Sequence, residues 1–133
     1  MTKVVVDASI IIAVVSNEAE KGPLVQMTQN VNLVAPTSIH WEIGNAFSAM
    51  FKRNRISIED AIQAIIAYEK IPIRFVDIKL DEALKLAHAL NIYAYDATII
   101  RCAIKYKSPL LSLDQKLLKA AKMAKAQVIE VTQ

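Results

Sequence analysis

The sequence predicts an α/β chain in which four or five short strands form a mainly parallel sheet between layers of helix. Short β-rich runs alternate with helical patterns along the whole of the 133 residues, the arrangement expected of strands joined by helical crossovers. Hydrophobic residues make up 54% of the chain and mean hydropathy is +0.31, an excess that fits a sheet buried on both faces together with a subunit or partner interface. No linker, repeat or low-complexity stretch divides the chain, so residues 1–133 read as one domain.

In order, "KVVVD" reads as a strand entering a helix over "ASIIIAVVS". A second helical stretch lies in "EAEKGPLVQMTQN", broken or started around Gly22-Pro23. "NLVAP" is a short strand stopped by Pro36. In "TSIHWEIGNAFSAMFKRNR", Ile39, Ile43, Phe47 and Met50 recur at helical spacing. Thr37 or Ser38 can cap its start, and basic residues close it as the macrodipole favours. "SIEDAIQAIIAYEK" is a helix capped by Ser57, with Ile58, Ile62, Ile65 and Ile66 on its apolar face. "IRFVDI" is a strand, "DEALKLAHALN" and "AYDATIIRCAIKY" are helices, and "PLLSL" is a strand. "DQKLLKAAKMAKA" is the last helix and "QVIEV" a closing strand.

Composition narrows the chemistry. A single cysteine, Cys102, excludes an internal disulfide and a multi-cysteine zinc site, and reads as a small core residue. The two histidines, His40 and His88, form no helical ligand pair. A net charge of +3 and pI near 9.0 permit an acidic partner without defining a site. No apolar run reaches the ~18 residues of a membrane span. The start, "MTKVVVDAS", lacks the pattern of a signal peptide. Together these give the expectation of a cytoplasmic protein.

Four acids carry the functional signal. Asp7 sits inside "VVVDASIII", where an ionised carboxylate needs either an edge or a positive partner. As strand-end or first-turn residues, Asp7, Asp96 and Asp114 each fit helix capping or the helix dipole, with Ser112 competing for the last cap. Glu42 lies inside a helix and shares a stripe with Asn45, Ala46 and Ala49, a pattern that fits a solvated face or a carboxylate offered to a cleft. Parallel sheets collect ligands at the carboxyl ends of their strands. Acids converging there would repel by roughly 4 kcal/mol per pair at about 4 Å and an effective dielectric of about 20. They would protonate, splay apart or recruit a cation. Oxygen-only ligands suit a hard ion such as Mg²⁺ or Mn²⁺.

The ordered set "VVVDAS", "HWEIGNAF", "AYDATIIRCA" and "PLLSLDQKLLKAA" resembles the PIN-domain ribonucleases, particularly the small VapC-type toxins of toxin–antitoxin pairs. The likeness runs the length of the chain and implies a PIN-like three-layer α/β/α sandwich. It implies that Asp7, Glu42, Asp96 and Asp114 bind the metal and serve catalysis, and that Ser112 orients a ligand or water. Ser9 matches a small hydroxyl position and Asn45 the family's asparagine. It further implies a metal-dependent endoribonuclease, a homodimer, and an antitoxin whose tail enters the cleft. The ion would polarise a phosphodiester and activate a water, with Glu42 as ligand or base. For the RNA, Lys52, Arg53 and Arg55 offer phosphate contacts and Tyr95 (with Tyr93 beside it) a stacking surface. The same residues also suit a helix end and ordinary packing.

Two rivals are distinct. Phosphoaspartyl chemistry on Asp7 or Asp77 lacks its second acid, because Ala8 and Ser9 stand where one is needed. A non-catalytic PIN-like module that binds RNA or a partner would not require all four acids.

Overall fold

The computed structural model describes residues 2–16 and 21–131. Five strands, β1 (Lys3–Val6), β2 (Asn32–Pro36), β3 (Ile73–Val76), β4 (Leu110–Leu111) and β5 (Val128–Ile129), alternate with seven helices. The helices are α1 (Ala8–Val15), α2 (Lys21–Met27), α3 (Ile39–Lys52), α4 (Ile58–Glu69), α5 (Leu80–Leu90), α6 (Ala94–Lys105) and α7 (Gln115–Met123). All strand pairs are parallel, in the order β3-β2-β1-β4-β5. The chain builds outward from β1 to β3, then crosses back to add β4 and β5 on the other side. The reversal point lies between β1 and β4.

Strand alternation sorts the core into two layers. Val4 and Val6 of β1 join Ile10, Ile11, Leu24, Ile39, Ile43 and Phe47 from α1, α2 and α3. Val5 turns to the opposite face, against Ile99, Ile100, Leu117 and Leu118 of α6 and α7. The central strand β1 is therefore apolar on both sides, as a sheet covered by helices on both faces requires; among the described residues no helix is long and apolar enough to cross a membrane. Cys102 is buried, and its thiol is pushed up to about 12 by that burial, so the core reading of it holds.

Local expectations meet two corrections. The second helix is described over Lys21–Met27, with Pro23 near the start of its described span, as expected from Gly22-Pro23; the portion expected over residues 18–20 lies outside the described residues. Ser38 occupies the position before α3 but is itself helical (φ −59°, ψ −18°) and makes no capping bond, so its hydroxyl is buried without a partner. On α4 the buried stripe is Ala61, Ala64 and Tyr68, while Ile58, Ile62 and Ile66 are exposed. Small residues let α4 lie close to the core, and the isoleucines occupy the neighbouring stripe. Ser57 does cap α4, accepting from the Asp60 N–H at 3.1 Å.

Four helices end in left-handed residues other than glycine. Asn54, Asn91, Lys107 and Lys125 have φ between 50° and 64°. In each case the next N–H returns to a carbonyl five residues back, as Ser108 to Ala103 at 3.0 Å and Ala126 to Ala121 at 3.0 Å.

Candidate active site

The four acids sit where strands hand over to helices. Asp7 follows β1 and caps α1, its Oδ1 accepting from the Ile10 N–H at 3.4 Å. Asp114 follows β4 and caps α7, accepting from the Leu117 N–H at 3.2 Å. Glu42 and Asp96 lie in the first turns of α3 and α6. The capping explanations are thus correct for two of the acids, and they coexist with a shared location. Four helix starts aim their positive dipole ends toward one place, partly offsetting the gathered negative charge.

Asp7, Glu42, Asp96 and Asp114 all line one open cleft of 630 Å³, together with Ala8, Ser9, Trp41, Asn45, Ala46, Tyr95 and Leu117. The cleft opens at the carboxyl ends of β1 and β4, at the reversal point of the sheet.

Asp7 is held by two serines that do the same job from opposite sides. Ser9 Oγ donates to Asp7 Oδ1 at 2.6 Å and accepts from the Leu113 N–H at 3.0 Å. Ser112 Oγ donates to Asp7 Oδ2 at 2.6 Å and accepts from the Asp114 N–H at 2.9 Å. The pair fastens the β1–α1 turn to the β4–α7 turn, although more than a hundred residues separate them. Short bonds of this kind to a carboxylate are the stronger class. Ser112 is buried beneath the cleft, where it orients Asp7 and presents nothing to solvent.

The electrostatics form a closed ring. Burial raises the Asp7 carboxyl above its ordinary range; Ser112, Ser9 and the Ile10 N–H oppose this, and the Asp114 charge adds to it. Glu42 is pushed up from 4.5 to about 7, by burial first and then by Asp7 and Asp96. Asp96 is raised by burial and by Asp114, with Lys116 pulling it back. Repulsion thus links Asp114 to both Asp7 and Asp96, and those two in turn to Glu42. One oxygen of the partly buried Glu42 carboxylate, Oε2, has no hydrogen-bond partner among the described residues.

Among the remaining sequence candidates, Ser9, Asn45 and Tyr95 line the cleft. The Glu42–Asn45–Ala46 stripe faces it, whereas Ala49, Tyr93, Lys52, Arg53 and Arg55 do not line it. Lys52 ends α3, ten residues or roughly 15 Å of helix beyond Glu42. Asp77 also lies outside the cleft, accepting from Thr37 Oγ1 at 3.1 Å. Trp41 was missed as a site residue; its signal was a large aromatic beside Glu42 and off the Ile39–Ile43–Phe47 stripe.

The PIN domain family model matches residues 4–123. This chain belongs to the PIN domain family. No curated protein sequence gives a significant match. Among solved structures, PAE2754 from Pyrobaculum aerophilum is similar at 22% identity and a TM-score of 0.72, over 98% of this chain and 91% of that one. VapBC2 from Rickettsia felis, bound to a DNA fragment from its promoter, is similar at 10% identity and a TM-score of 0.69, over 98% of this chain and 100% of that one. VapC20 from Mycobacterium tuberculosis, a sarcin–ricin loop cleaving toxin, is similar at 15% identity and a TM-score of 0.65, over 88% and 94% respectively. At such identities the likeness is one of fold, and it covers the PIN sandwich from end to end.

The donor set of this PIN domain fits a hard divalent cation. It consists of carboxylates only, their charges repel, and Glu42 keeps a bare oxygen. Among the described residues no three acidic, histidine or cysteine side chains close into a tight ligand cage.

Proposed function

We propose that this PIN domain is a metal-dependent endoribonuclease of the VapC toxin type. The observation that carries the reading is the gathering of Asp7, Glu42, Asp96 and Asp114 in one cleft with no cationic side chain among its lining residues. A cluster of this kind disfavours itself unless an ion joins it. Asp7, Glu42, Asp96 and Asp114 would hold Mg²⁺ or Mn²⁺, which when bound supplies Lewis-acid polarisation of a phosphodiester and a water of lowered pKa.

The chain's own residues do the rest. Ser9 and Ser112 fix the Asp7 carboxylate so that its remaining lone pairs face the cleft. Glu42, which takes up a proton near neutrality, is suited to accept one from an attacking water. Lys116 lies close enough to influence Asp96 and offers a cation to the substrate phosphate at the rim. No side chain in the cleft suggests a covalent intermediate.

An antitoxin and a second copy of the chain are the partners this reading implies. Exposed Ile58, Ile62 and Ile66 on α4 supply apolar surface of the kind such contacts use.

The test is incubation of the purified protein with total RNA in Mn²⁺, Mg²⁺ or EDTA, followed by mapping of the new ends. Discrete cleavage in the metals, absent in EDTA and in a folded Asp96→Asn variant, is the expected result. RNA binding without metal-dependent cleavage would overturn the reading in favour of a non-catalytic module.

A further inference from the structure

Two aromatic rings stand at the cleft, Trp41 with no role assigned so far and Tyr95 expected from the sequence as a stacking surface. Trp41 is 75% exposed and Tyr95 is 53% exposed, yet both line the acidic cleft. Each immediately precedes an acid of the ring, Glu42 on α3 and Asp96 on α6. An indole left this open forgoes burial of a large apolar surface. Among the described residues, ring and cation–π contacts join His40, Tyr68 and Phe75, and bring Arg74 and Lys105 to Tyr106. Neither Trp41 nor Tyr95 takes part in them.

We propose that Trp41 and Tyr95 grip one unstacked nucleobase at the acidic cleft. This rests on the nuclease reading above. Lys116 and a bound cation would engage the phosphate, but neither holds a base, and the four carboxylates repel the rest of the phosphate chain, so contacts that carry no charge have to hold the nucleoside. A base is neutral and presents a π-face, which aromatic side chains stack upon in a sequence-tolerant way. In a duplex those faces are covered by the neighbouring base pairs, and the base becomes available only when unstacked. The cleft volume of 630 Å³ falls in the range of roughly 300–1,000 Å³ that holds a single small ligand. Ala8 and Ala46 in the lining of the same cleft take up little space, and Asn45 offers an amide to a base edge.

Trp41 is the only tryptophan in the chain, so its emission reports directly on stacking. The experiment titrates the wild-type protein, in EDTA and in Ca²⁺, with a mixed-sequence oligoribonucleotide of about ten nucleotides, presented single-stranded or fully paired. Binding is followed independently by anisotropy of a label on the RNA. Cleavage of the same two RNAs is then compared in Mn²⁺ for wild type, Trp41→Ala, Trp41→Phe, Tyr95→Ala and, as an exposed apolar residue of α5 outside the cleft, Leu84→Ala. The expected result is quenching by the single strand and not by the duplex, with cleavage confined to the single strand. Trp41→Ala should weaken single-strand binding and raise KM by about 10- to 100-fold, with Trp41→Phe recovering most of it. Tyr95→Ala should act in the same direction, and Leu84→Ala should match wild type. Unquenched emission with RNA bound, wild-type KM in Trp41→Ala, or equal cleavage of the duplex overturns the grip and leaves the nuclease reading standing. Emission that shifts to the blue with protein concentration alone assigns the ring to a subunit interface and overturns it too. If wild type neither binds nor cleaves RNA in any metal, both readings fail together.

Discussion

Replacing Glu42 by glutamine should stabilise the metal-free chain while removing cleavage. The Glu42 carboxyl is raised from 4.5 to about 7, by burial and by the charges of Asp7 and Asp96. A folded-state value above the unfolded one means that the folded chain holds this proton more tightly. The ionised group then opposes folding: stability is greatest below 4.5, falls as pH rises through the window from 4.5 to about 7, and levels off above it. A tenfold change in proton affinity is worth about 1.4 kcal/mol, so the penalty at pH 8 is at most about 3 kcal/mol. Water in the open cleft screens the charge and reduces this to about 1–2 kcal/mol. For a chain of this length each kcal/mol moves Tm by about 3–5 °C. Glu42→Gln in EDTA should therefore melt about 3–10 °C above wild type near pH 8, and within about 2 °C of it near pH 4.5. Added Mn²⁺ should raise the wild-type Tm by more than that of the variant. Calorimetry across this pH range, with and without the metal, makes the measurement. A variant less stable than wild type at pH 8, or a gain that ignores pH, would refute repulsion in the carboxylate ring.

Further expectations follow from other parts of the molecule. Ser112→Ala leaves Asp7 Oδ2 and the Asp114 N–H without their bridge, and chemical denaturation should find it about 1–3 kcal/mol less stable, with cleavage reduced even where it is folded. Lys107→Gly and Lys125→Gly remove the left-handed strain of β-carbon-bearing residues at φ 50° and 64°, and each should raise stability by about 0.5–1 kcal/mol in the same assay. Because Glu42 is about half protonated near pH 7, Mn²⁺ titrated into weakly buffered protein should release protons. Its apparent affinity by calorimetry should tighten between about pH 6 and pH 8.

Much of the fold was legible because it is written in local signals. The Ile39–Ile43–Phe47 spacing, the Ser57 cap and the stop at Pro36 act within a few residues, and the structure realises each. Errors arose where two local patterns compete. The isoleucines of α4 are as periodic as its alanines, and periodicity says that a helix has an apolar stripe without saying which stripe meets the sheet. Ser38 has the right chemistry for a cap, but the turn from Pro36 carries it into helical geometry too early for its hydroxyl to reach a free N–H.

The site divides along the same line. By itself the sequence determined the kinds of groups available, carboxylates without thiolates or paired histidines, and their placement at strand ends and helix starts. Asp7, Asp96 and Asp114 then had a sufficient local explanation as caps or dipole partners, and Glu42 one as part of a solvated face. Only the tertiary structure decided that they share a cleft, that Ser9 and Ser112 fasten Asp7 from both sides, and that Trp41 stands at the rim. The physical reason is that hydrogen bonds within a turn are encoded by neighbours. Coulombic coupling between residues 7 and 114 depends on the crossover that places β4 beside β1, and no short stretch of chain contains that information.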